Sequence, residues 1–390
     1  MRVLFLDQFS DLGGAQLCLR DVLLEVSRLG WQAEVMAPGA GPLLDFARKR
    51  GFDVQRLPLA PYANGRKTAT DVLRFGVDMV RSLRILRRAL RERPADLIYV
   101  NGPRILPAVS GTHVPVVFHS HSFLDKQYAR TIAGRVLLSL PARVLACSEF
   151  TAQPFKMLLR PDTVRVIYNG VSDHGFCPRN SSGDPVRVGI LGRIAPEKGH
   201  LDFLRVAAAI PDRKKVQFCI VGASLFSDAE YQQRVRSTSA AAGVELRGWT
   251  DDVSRALHDL DILVVPSASH DASPRVILEA LSAGTCVLSY PSGGIPELIR
   301  DGYSGLLSRS SSPQELAMLV RTLAANPELR DRLAVNGRRE WEARFRVERF
   351  RSGVCAAISE AVTSRALGAS GRYSTSPERV SAHDGRLSAP

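Results

Sequence analysis

The chain has 390 residues, of which 45% are hydrophobic and 23% charged, and a formal net charge of +13 at pH 7. That length suits two domains rather than one, and the hydrophobic share gives ample core. The six cysteines are scattered without a C-x-x-C pair, which disfavours a zinc site or a disulfide framework and fits a reducing cytosol.

Neither a leader nor a membrane span is predicted. The N-terminal apolar run, Val3–Leu6, is too short for a signal peptide. No uninterrupted apolar run approaches the roughly eighteen residues that a membrane span needs. We therefore expect a soluble, cytoplasmic protein.

The surplus of positive charge indicates an anionic partner, and the candidates are nucleic acid, a membrane surface and phosphorylated small molecules. The densest basic stretch is RFGVDMVRSLRILRRALRERP, residues 74–94, in which seven arginines surround Val77, Val80, Ile85 and Leu86. As a helix, Arg74–Arg93 has two interpretations. It lies on anionic lipid at the inner face of the membrane, or it packs its apolar stripe on a sheet, and the second is slightly favoured. No nucleic-acid-binding signature occurs, so nucleic acid is not expected.

Short β-branched runs alternate with helical patterns along most of the chain. The predicted strands are Val3–Leu6, Ala33–Met36, Asp96–Val100, Val114–Phe118, Val144–Cys147, Val164–Tyr168, Val186–Leu191, Val216–Val221, Val244–Leu246, Ile262–Val265 and Cys286–Ser289. Apolar strands between helices predict parallel sheets covered on both faces. The fold class is therefore α/β, with two doubly wound Rossmann-like domains that face each other across a cleft.

A segment rich in Gly, Pro, Ser and Asn, residues 169–185, interrupts this alternation and reads as a linker. The last residues are small and polar and predict a disordered tail without a catalytic role. The predicted organisation is an N-terminal domain at 1–170, a linker at 171–185, a second domain at 186–345, a C-terminal helix at 346–365 and the tail at 366–390.

Three loops after predicted strands suit an anionic ligand. In GILGRIAPEKGH, Gly192 lets the chain turn, and Arg193 and Lys198 flank a helix start whose amides and dipole add to their charge. Two more loops follow predicted strands in the same way. One contains Gly293 and Gly294, before Pro296, and the other contains Gly13 and Gly14. A single glycine pair is more often a plain turn, but three at strand ends point to a ligand. None reads G-x-G-x-x-G, so a nicotinamide site is disfavoured.

The stretch HDASPRVILEA, residues 270–280, sets Asp271 at the mouth of a helix and Glu279 two turns inside it. Ser273 is expected to cap this helix with its hydroxyl, and Pro274 suits the first helical position. This stretch alone leaves two interpretations. Either Asp271 is a solvated loop residue and Glu279 lies on the solvent-exposed face of the helix, or the two acids are a functional pair.

Taken together, these motifs resemble family-4 retaining glycosyltransferases of the GT-B fold. The resemblance rests on G-R-x-x-x-x-K-G, on the acidic-x7-Glu element with S-P-x-V-x-L-E-A, and on G-G-I-P-E-x-I-x-D-G-x-x-G-L-L. The N-terminal G-G-A, VFHSH at 117–121 and VIYNGV at 166–171 extend it over nearly the whole chain apart from the tail. It implies an acceptor-side N-terminal domain and a nucleotide-sugar-binding C-terminal domain.

The resemblance also assigns roles to residues. Arg193 and Lys198 would hold the donor diphosphate, and Glu279 would hold the ribose hydroxyls. Amides around Gly294 and Ile295 would meet phosphate or sugar. His121 matches the family's active-site histidine near the donor sugar, with His119 as the alternative. The loop LRGWTDD, which contains Arg247 and Trp249, falls where the family binds the base.

Two positions depart from the family pattern: Asp271 replaces the usual glutamate, and Ser172 replaces the usual aspartate after N-G-V. The first concerns contacts with the donor sugar, so it bears on sugar identity more than on activity. The predicted catalytic residues are His121, Asp271, Arg193 and Lys198. The predicted donor contacts add Gly13, Gly14, Gly192, Arg247, Trp249, Glu279, Gly293, Gly294 and Ile295.

No cofactor is expected, since the nucleotide sugar is a substrate, and no metal is expected, since the predicted cleft lacks a credible carboxylate pair. The D-x-D spelling at Asp259–Asp261 leads straight into a strand at the end away from the cleft, so we interpret it as structural. The acceptor is expected to be a glycan or a lipid-linked molecule of cell-envelope polysaccharide or glycolipid synthesis. Two alternatives stay open, a GT-B sugar-nucleotide epimerase and a non-catalytic sugar-nucleotide-binding protein, although the acidic-x7-Glu element and G-G-I-P-E favour the transferase.

Overall fold

The computed structural model describes residues 1–60, 68–178, 185–224, 229–267 and 269–370, with side chains through residue 364. Part of the predicted linker, residues 179–184, and residues 371–390 of the predicted tail lie outside the described residues. Within the described residues, no helix is long and apolar enough to cross a membrane.

A seven-stranded parallel sheet forms the N-terminal half, in the order β3-β2-β1-β4-β5-β6-β7. Its strands are β1 (Arg2–Asp7), β2 (Gln32–Pro38), β3 (Asp53–Leu57), β4 (Leu97–Asn101), β5 (Val116–Ser120), β6 (Ala142–Ala146) and β7 (Val164–Val166). The edge strand β3 was not predicted, because its sequence DVQRL is mostly polar and only Leu57 is buried.

A six-stranded parallel sheet forms the second half, in the order β10-β9-β8-β11-β12-β13. Its strands are β8 (Val186–Leu191), β9 (Val216–Val221), β10 (Glu245–Gly248), β11 (Ile262–Val265), β12 (Cys286–Ser289) and β13 (Leu306–Leu307). The two-residue β13 carries too little pattern to be predicted. The expected α/β class with two parallel sheets is confirmed.

Helices cover both sheets. They are α1 (Gly14–Arg28), α2 (Pro42–Lys49), α3 (Ala69–Glu92), α4 (Gln127–Leu138), α5 (Glu149–Lys156), α6 (His200–Ala209), α7 (Ala229–Ala242), α8 (Val253–His258), α9 (Arg275–Ala283), α10 (Ile295–Leu298), α11 (Pro313–Ala325), α12 (Pro327–Glu340) and α13 (Val347–Ser370). Strand β1 shows why helices are needed on each face: Leu4 and Leu6 pack into one core cluster, Val3 and Phe5 into another. Since successive strand side chains point to opposite faces, an all-apolar strand needs cover on both.

The last helix returns to the first half of the chain. Phe350, Val354 and Ile358 of α13 share a buried cluster with Leu19 and Val22 of α1. The chain passes between the halves twice, near residue 171 and again near residue 346, and the two crossing segments run side by side. Val171 donates its amide to the Phe345 carbonyl at 3.0 Å and accepts the amide of Val347 at 3.1 Å. Helix α13 continues to Ser370, five residues beyond the predicted end at residue 365.

The basic helix α3 packs on the first sheet and also leaves an apolar face uncovered. Met79 and Leu86 are buried in the core, as an ordinary surface helix requires. Its N-terminal half exposes Leu73 and Val80, which are 71% and 49% accessible, beside Val72 and Val77. The expected apolar stripe is therefore only partly used for packing on the sheet.

In both sheets the strand order reverses once. The reversal lies between β1 and β4 in the first sheet and between β8 and β11 in the second. In open α/β sheets, ligands bind in the crevice outside the carboxyl ends of the strands at such a switch point. The loops after these four strands are therefore the places to look for chemistry.

Gly199 holds the turn that joins the short 3-10 segment Pro196–Lys198 to α6. Its φ of 73° lies in the left-handed region. A Cβ at this position would also overlap the backbone carbonyl of Pro266, in the loop after β11. Glycine is thus required twice, for the backbone conformation and for the close approach of two loops.

We predict that Gly199→Ala destabilises the protein more than Gly30→Ala does. Gly30 has a similar φ of 67°, but a Cβ there meets no described atom within 4 Å, so alanine costs about 1–2 kcal/mol of conformational strain alone. At Gly199 the Pro266 carbonyl must also move, which brings the loss to about 3 kcal/mol or more. Urea unfolding of both variants measures the difference, and equal losses would contradict the loop contact.

Candidate active site

The loop after β8 presents the two predicted phosphate cations. Gly192 donates its amide to Val221 of β9 at 3.0 Å, which fixes the exit of the strand. Arg193 then ion-pairs with Glu197 at 2.9 Å, and Lys198 closes the 3-10 segment before α6. Their side chains are 33% and 30% exposed, so both cations remain within reach of a ligand.

An ion pair joins this loop to the loop after β11. Lys198 Nζ lies 2.7 Å from Asp271 Oδ2, and Ser267 donates its hydroxyl to the same oxygen at 3.1 Å. The Asp271 side chain is only 14% exposed. The predicted phosphate cation and the predicted sugar-binding acid therefore meet at the switch point between β8 and β11, so Asp271 is not a freely solvated loop residue.

Helix α9 starts later than predicted, which corrects the expected role of Ser273. The N-cap is Pro274, without a side-chain cap, and the helix begins at Arg275. Ser273 Oγ is buried and makes no hydrogen bond to any described residue. Asn169 of the other half donates to the Ser273 carbonyl at 3.4 Å. The helix start is therefore held by contacts between the two halves instead of by a serine cap.

Glu279 faces another side chain of its own helix. Arg275 Nε lies 3.6 Å from Glu279 Oε1, one turn away, and the Glu279 side chain is 12% exposed. Burial raises the pKa of Glu279, and the Arg275 cation opposes that shift. The alternative that placed Glu279 on the solvent-exposed face of the helix is therefore wrong.

The glycine loop after β12 packs tightly on the Asp271 loop. Gly293 has a φ of 59°, and a Cβ there would overlap the Asp271 carbonyl. Gly294 donates its amide to that carbonyl at 2.9 Å, and Ile295 donates to Ser292 at 3.1 Å. Both amides are thus hydrogen-bonded within these loops, whose glycines hold Asp271 in place, and the expectation that amides around Gly294 and Ile295 meet phosphate or sugar stays a prediction.

In the N-terminal half, a hydrogen-bonded chain runs from the end of β1 to the loop after β5. Asp7 Oδ1 accepts from Gln16, and Asp7 Oδ2 accepts from Asn101 Nδ2, at 2.8 and 2.6 Å. Asn101 Oδ1 lies 2.9 Å from His121 Nε2. Burial raises the pKa of Asp7 to about 6 despite these hydrogen bonds. This chain spans the switch point between β1 and β4 and fixes the His121 ring.

The network assigns the tautomer of His121. Since Asn101 donates from Nδ2 to Asp7, its Oδ1 faces His121 and can only accept, so His121 Nε2 carries the proton. Burial lowers the pKa of His121 to about 3, which keeps the ring neutral. His121 Nδ1 is then a buried acceptor without a hydrogen-bond partner among the described residues.

The alternative histidine lies deeper. Strand β5 runs to Ser120, two residues beyond its predicted end, so His119 is inside the strand and fully buried. Its Nδ1 contacts the Tyr99 hydroxyl, and its ring lies 4.0 Å from the His121 ring between centroids. Burial holds the pKa of His119 well below its usual value. His121 is the partly exposed member of the pair.

The remaining predicted donor loops lie at the ends of β1 and β10. Gly13 is the N-cap of α1, and Gly14 lies 4.0 Å from Arg275 Cδ, measured from an ideal Cβ. Arg247 pairs with Glu245 at 2.9 Å. Trp249 is 53% exposed, which suits a ring that receives a planar ligand.

Two contacts between the halves leave no local pattern in the sequence. The rings of Phe123, Phe150 and His270 stack with centroids 4.4 to 5.7 Å apart, and His270 adopts a positive φ of 34°. Glu297 accepts the amides of Glu149 and Phe150 at 2.7 and 2.8 Å, so it caps α5 from the opposite half. Both contacts depend on distant chain segments, which spacing along one motif does not reveal.

Within the ranges that the structure describes, no group of three or more His, Cys, Asp or Glu is arranged to hold a metal. In the D-x-D triplet, Asp261 accepts the Arg187 amide at 2.7 Å, at the amino end of β8. Asp259 lies 3.7 Å from Arg247. Asp261 thus serves the strand start, away from the Lys198–Asp271 pair.

Comparison with known proteins identifies a family for both halves of the chain. The family model described as glycosyl transferases group 1 matches residues 178–340, and that described as glycosyltransferase family 4 matches residues 12–174. The chain is 24% identical over 386 residues to the D-inositol 3-phosphate glycosyltransferase of Mycolicibacterium gilvum, covering 90% of this chain and 86% of the relative. It is 23% identical over 287 residues to spore coat protein SA of Bacillus subtilis, covering 66% and 76%.

A solved structure supports the fold. Anabaena HepE, in complex with UDP and glucose, matches with a TM-score of 0.77 at 23% identity, over 92% of this chain and 99% of that one. The two family models adjoin between residues 174 and 178, where the two sheets are joined. The chain therefore belongs to the family-4, group 1 glycosyltransferases and has their GT-B fold.

Proposed function

We propose that this glycosyltransferase moves a sugar from a nucleotide-sugar donor to an acceptor with retention at the anomeric carbon. The observation that carries the proposal is the Lys198–Asp271 pair, which sets a cation and a partly buried acid 2.7 Å apart at the switch point. The lipopolysaccharide glycosyltransferases among the relatives favour a glycan or lipid-linked acceptor in glycoconjugate synthesis. The UDP held by HepE makes uridine nucleotides the first donors to test.

In the proposed donor complex, Lys198 lies between the acid and the diphosphate. An ammonium group has three donors, so one can hold Asp271 while two remain for phosphate oxygens. Cleavage of the sugar–phosphate bond puts negative charge on the leaving phosphate, which Arg193 and Lys198 stabilise in place. Asp271 then accepts hydrogen bonds from donor-sugar hydroxyls, with its carboxylate oriented by Ser267.

His121 is proposed to complete the sugar site from the N-terminal half. Its unprotonated Nδ1 is a buried acceptor suited to a sugar hydroxyl, and the Asn101 contact keeps the ring in that orientation. A neutral ring also avoids placing a second positive charge beside the positive charge that develops on the sugar. His119, fully buried behind it, is proposed to support the ring rather than to touch substrate.

We predict that Lys198→Ala and Arg193→Ala each lower turnover by about two to three orders of magnitude, the scale of losing one pre-organised charge stabiliser. Lys214→Ala, which removes an exposed cation away from the site, is the control and should keep normal turnover. Release of nucleoside diphosphate from labelled UDP-, GDP- and ADP-sugars measures the rates. Normal rates in both site variants would refute the assignment.

The same assay tests two further parts of the proposal. Because the two cations supply the charge that a metal otherwise provides, activity is expected to persist in excess EDTA. Proton NMR of the product is expected to show the anomeric configuration of the donor. Inversion would contradict retention, and a loss in EDTA that magnesium or manganese restores would contradict the metal-independent donor site.

We also propose that α3 attaches the protein peripherally to the inner face of the membrane. The helix exposes Val72, Leu73, Val77 and Val80 within one stretch, and Arg81, Arg84, Arg87, Arg88 and Arg91 are all exposed. An apolar strip beside clustered arginines suits the interface of an anionic bilayer. This location would bring the enzyme to a lipid-linked acceptor.

We predict that the protein binds vesicles containing anionic lipid, and that binding weakens with salt. Replacing Arg84, Arg87, Arg88 and Arg91 by glutamine should reduce binding strongly, whereas the exposed Arg234, Arg236 and Arg332 of the second half should be replaceable by glutamine without effect. Vesicle co-sedimentation at two salt concentrations measures both. Unchanged binding after the α3 substitutions would rule this helix out.

A further inference from the structure

A series of four partly buried charges connects the proposed ribose-binding acid to the opposite half of the molecule. Arg275 lies 3.6 Å from Glu279 through Nε and 3.2 Å from Asp21 of α1 through Nη1. Asp21 in turn lies 2.9 Å from Arg351 of α13. The charges of these four side chains alternate in sign, and each side chain is between 12% and 20% exposed.

Arg275 is held firmly at its far end. Besides Asp21, its Nη1 contacts the Gly170 carbonyl at 3.2 Å and Cys18 Sγ at 3.5 Å. All three contacts come from the N-terminal half or from the crossing between the halves. The guanidinium is therefore fixed by groups that lie outside the donor-binding half.

The contact with Glu279 is of a different kind. At 3.6 Å, Arg275 Nε is beyond hydrogen-bond distance from Glu279 Oε1, so the contact is electrostatic. An ionised carboxylate offers about four acceptor sites. Glu279 is thus oriented by a neighbouring cation while its acceptor sites remain for two hydroxyl groups.

We infer that Arg275 is a positioning residue that holds Glu279 for the donor ribose, and that Asp21 supports it from the opposite half. The inference rests on the proposed donor site, since it takes Glu279 as the ribose contact. It adds a specific consequence: recognition of the ribose hydroxyls depends on a side chain of the N-terminal half that touches no donor.

Binding of nucleoside diphosphates to the full chain tests this inference. UDP, GDP and ADP are titrated by calorimetry, and the one that binds is compared with its 2′-deoxy and 3′-deoxy forms. Arg275→Met is expected to weaken binding of the ribose form about tenfold or more and to change the deoxy forms little, because the lost charged contact serves the hydroxyls. The ribose preference should then approach that of Glu279→Gln.

Three further variants sharpen the comparison. Arg275→Lys should keep part of the preference, and Asp21→Asn should reduce it although residue 21 lies in the other half. Arg165→Met is the control: Arg165 also joins the N-terminal half to α13, through Glu360 at 3.3 Å, but that pair is exposed. Its ribose preference should be unchanged. If Arg275→Met does not fold, Asp21→Asn and Arg275→Lys carry the same comparison.

The outcomes separate this inference from the proposed function. Equal weakening of ribose and deoxy forms in Arg275→Met, or an unchanged preference in both Arg275→Met and Asp21→Asn, overturns the positioning role while leaving the donor site intact. Failure of all three diphosphates to bind the unsubstituted protein contradicts the proposed function itself. A ribose preference that Glu279→Gln does not alter removes Glu279 as the ribose contact, and the role of Arg275 with it.

Discussion

The parallel pairing of the strands determines where this protein can carry out chemistry. In both sheets the loops after the strands lie along one edge, and the strand order reverses once. The paired strands at the first reversal end with Asp7 beside Asn101, which together hold His121. At the second reversal, the loops after β8 and β11 meet through Lys198 and Asp271. Both halves thus present their polar side chains at the crevice that such sheets create.

Partly buried charges in this crevice are arranged in pairs that orient functional groups. A buried ion pair is weak evidence for stability, because desolvation offsets most of the attraction. Its effect on geometry is more direct, since a charged neighbour restricts the direction of a carboxylate. Lys198 and Ser267 hold Asp271, and Arg275 holds Glu279. Helix α9 therefore begins beside one oriented acid and carries another, two turns apart.

Local patterns predicted much of this arrangement. The strands β8, β9, β11 and β12 have their predicted bounds, because each is a short apolar run between turn residues. The loop positions of Lys198 and Asp271 and the place of Glu279 on α9 followed from motif spacing. Local patterns gave wrong predictions where tertiary contacts determine the structure. Ser273 does not cap α9, because the start of α9 is packed against the other half and the Ser273 hydroxyl is buried. The hydrogen bond from the Gly294 amide to the Asp271 carbonyl likewise joins two loops that no local pattern pairs.

Whether a side-chain contact could be predicted from the sequence depends on how far apart its two residues lie along the chain. Arg275 lies four residues before Glu279, the spacing at which helical side chains pair, so that contact was predictable. Asp21 was not, because 254 residues separate it from Arg275. The same holds for Glu297, which caps a helix 147 residues earlier in the chain. Contacts between the halves require the fold to be known first.

We propose that Asp271, oriented by Lys198, holds the donor sugar, and substitution of Asp271 is the sharpest test of this role. Turnover and donor preference are measured over a panel of nucleotide sugars, with Asp331→Ala as an exposed control. Asp271→Ala should lower turnover strongly, about a hundredfold, because bound hydroxyls lose a charged partner and the sugar loses its orientation. Asp271→Glu, one methylene longer, should retain activity or change the ranking of donor sugars. If Asp271→Ala keeps both the rate and the donor preference of the unsubstituted protein, the claim is contradicted.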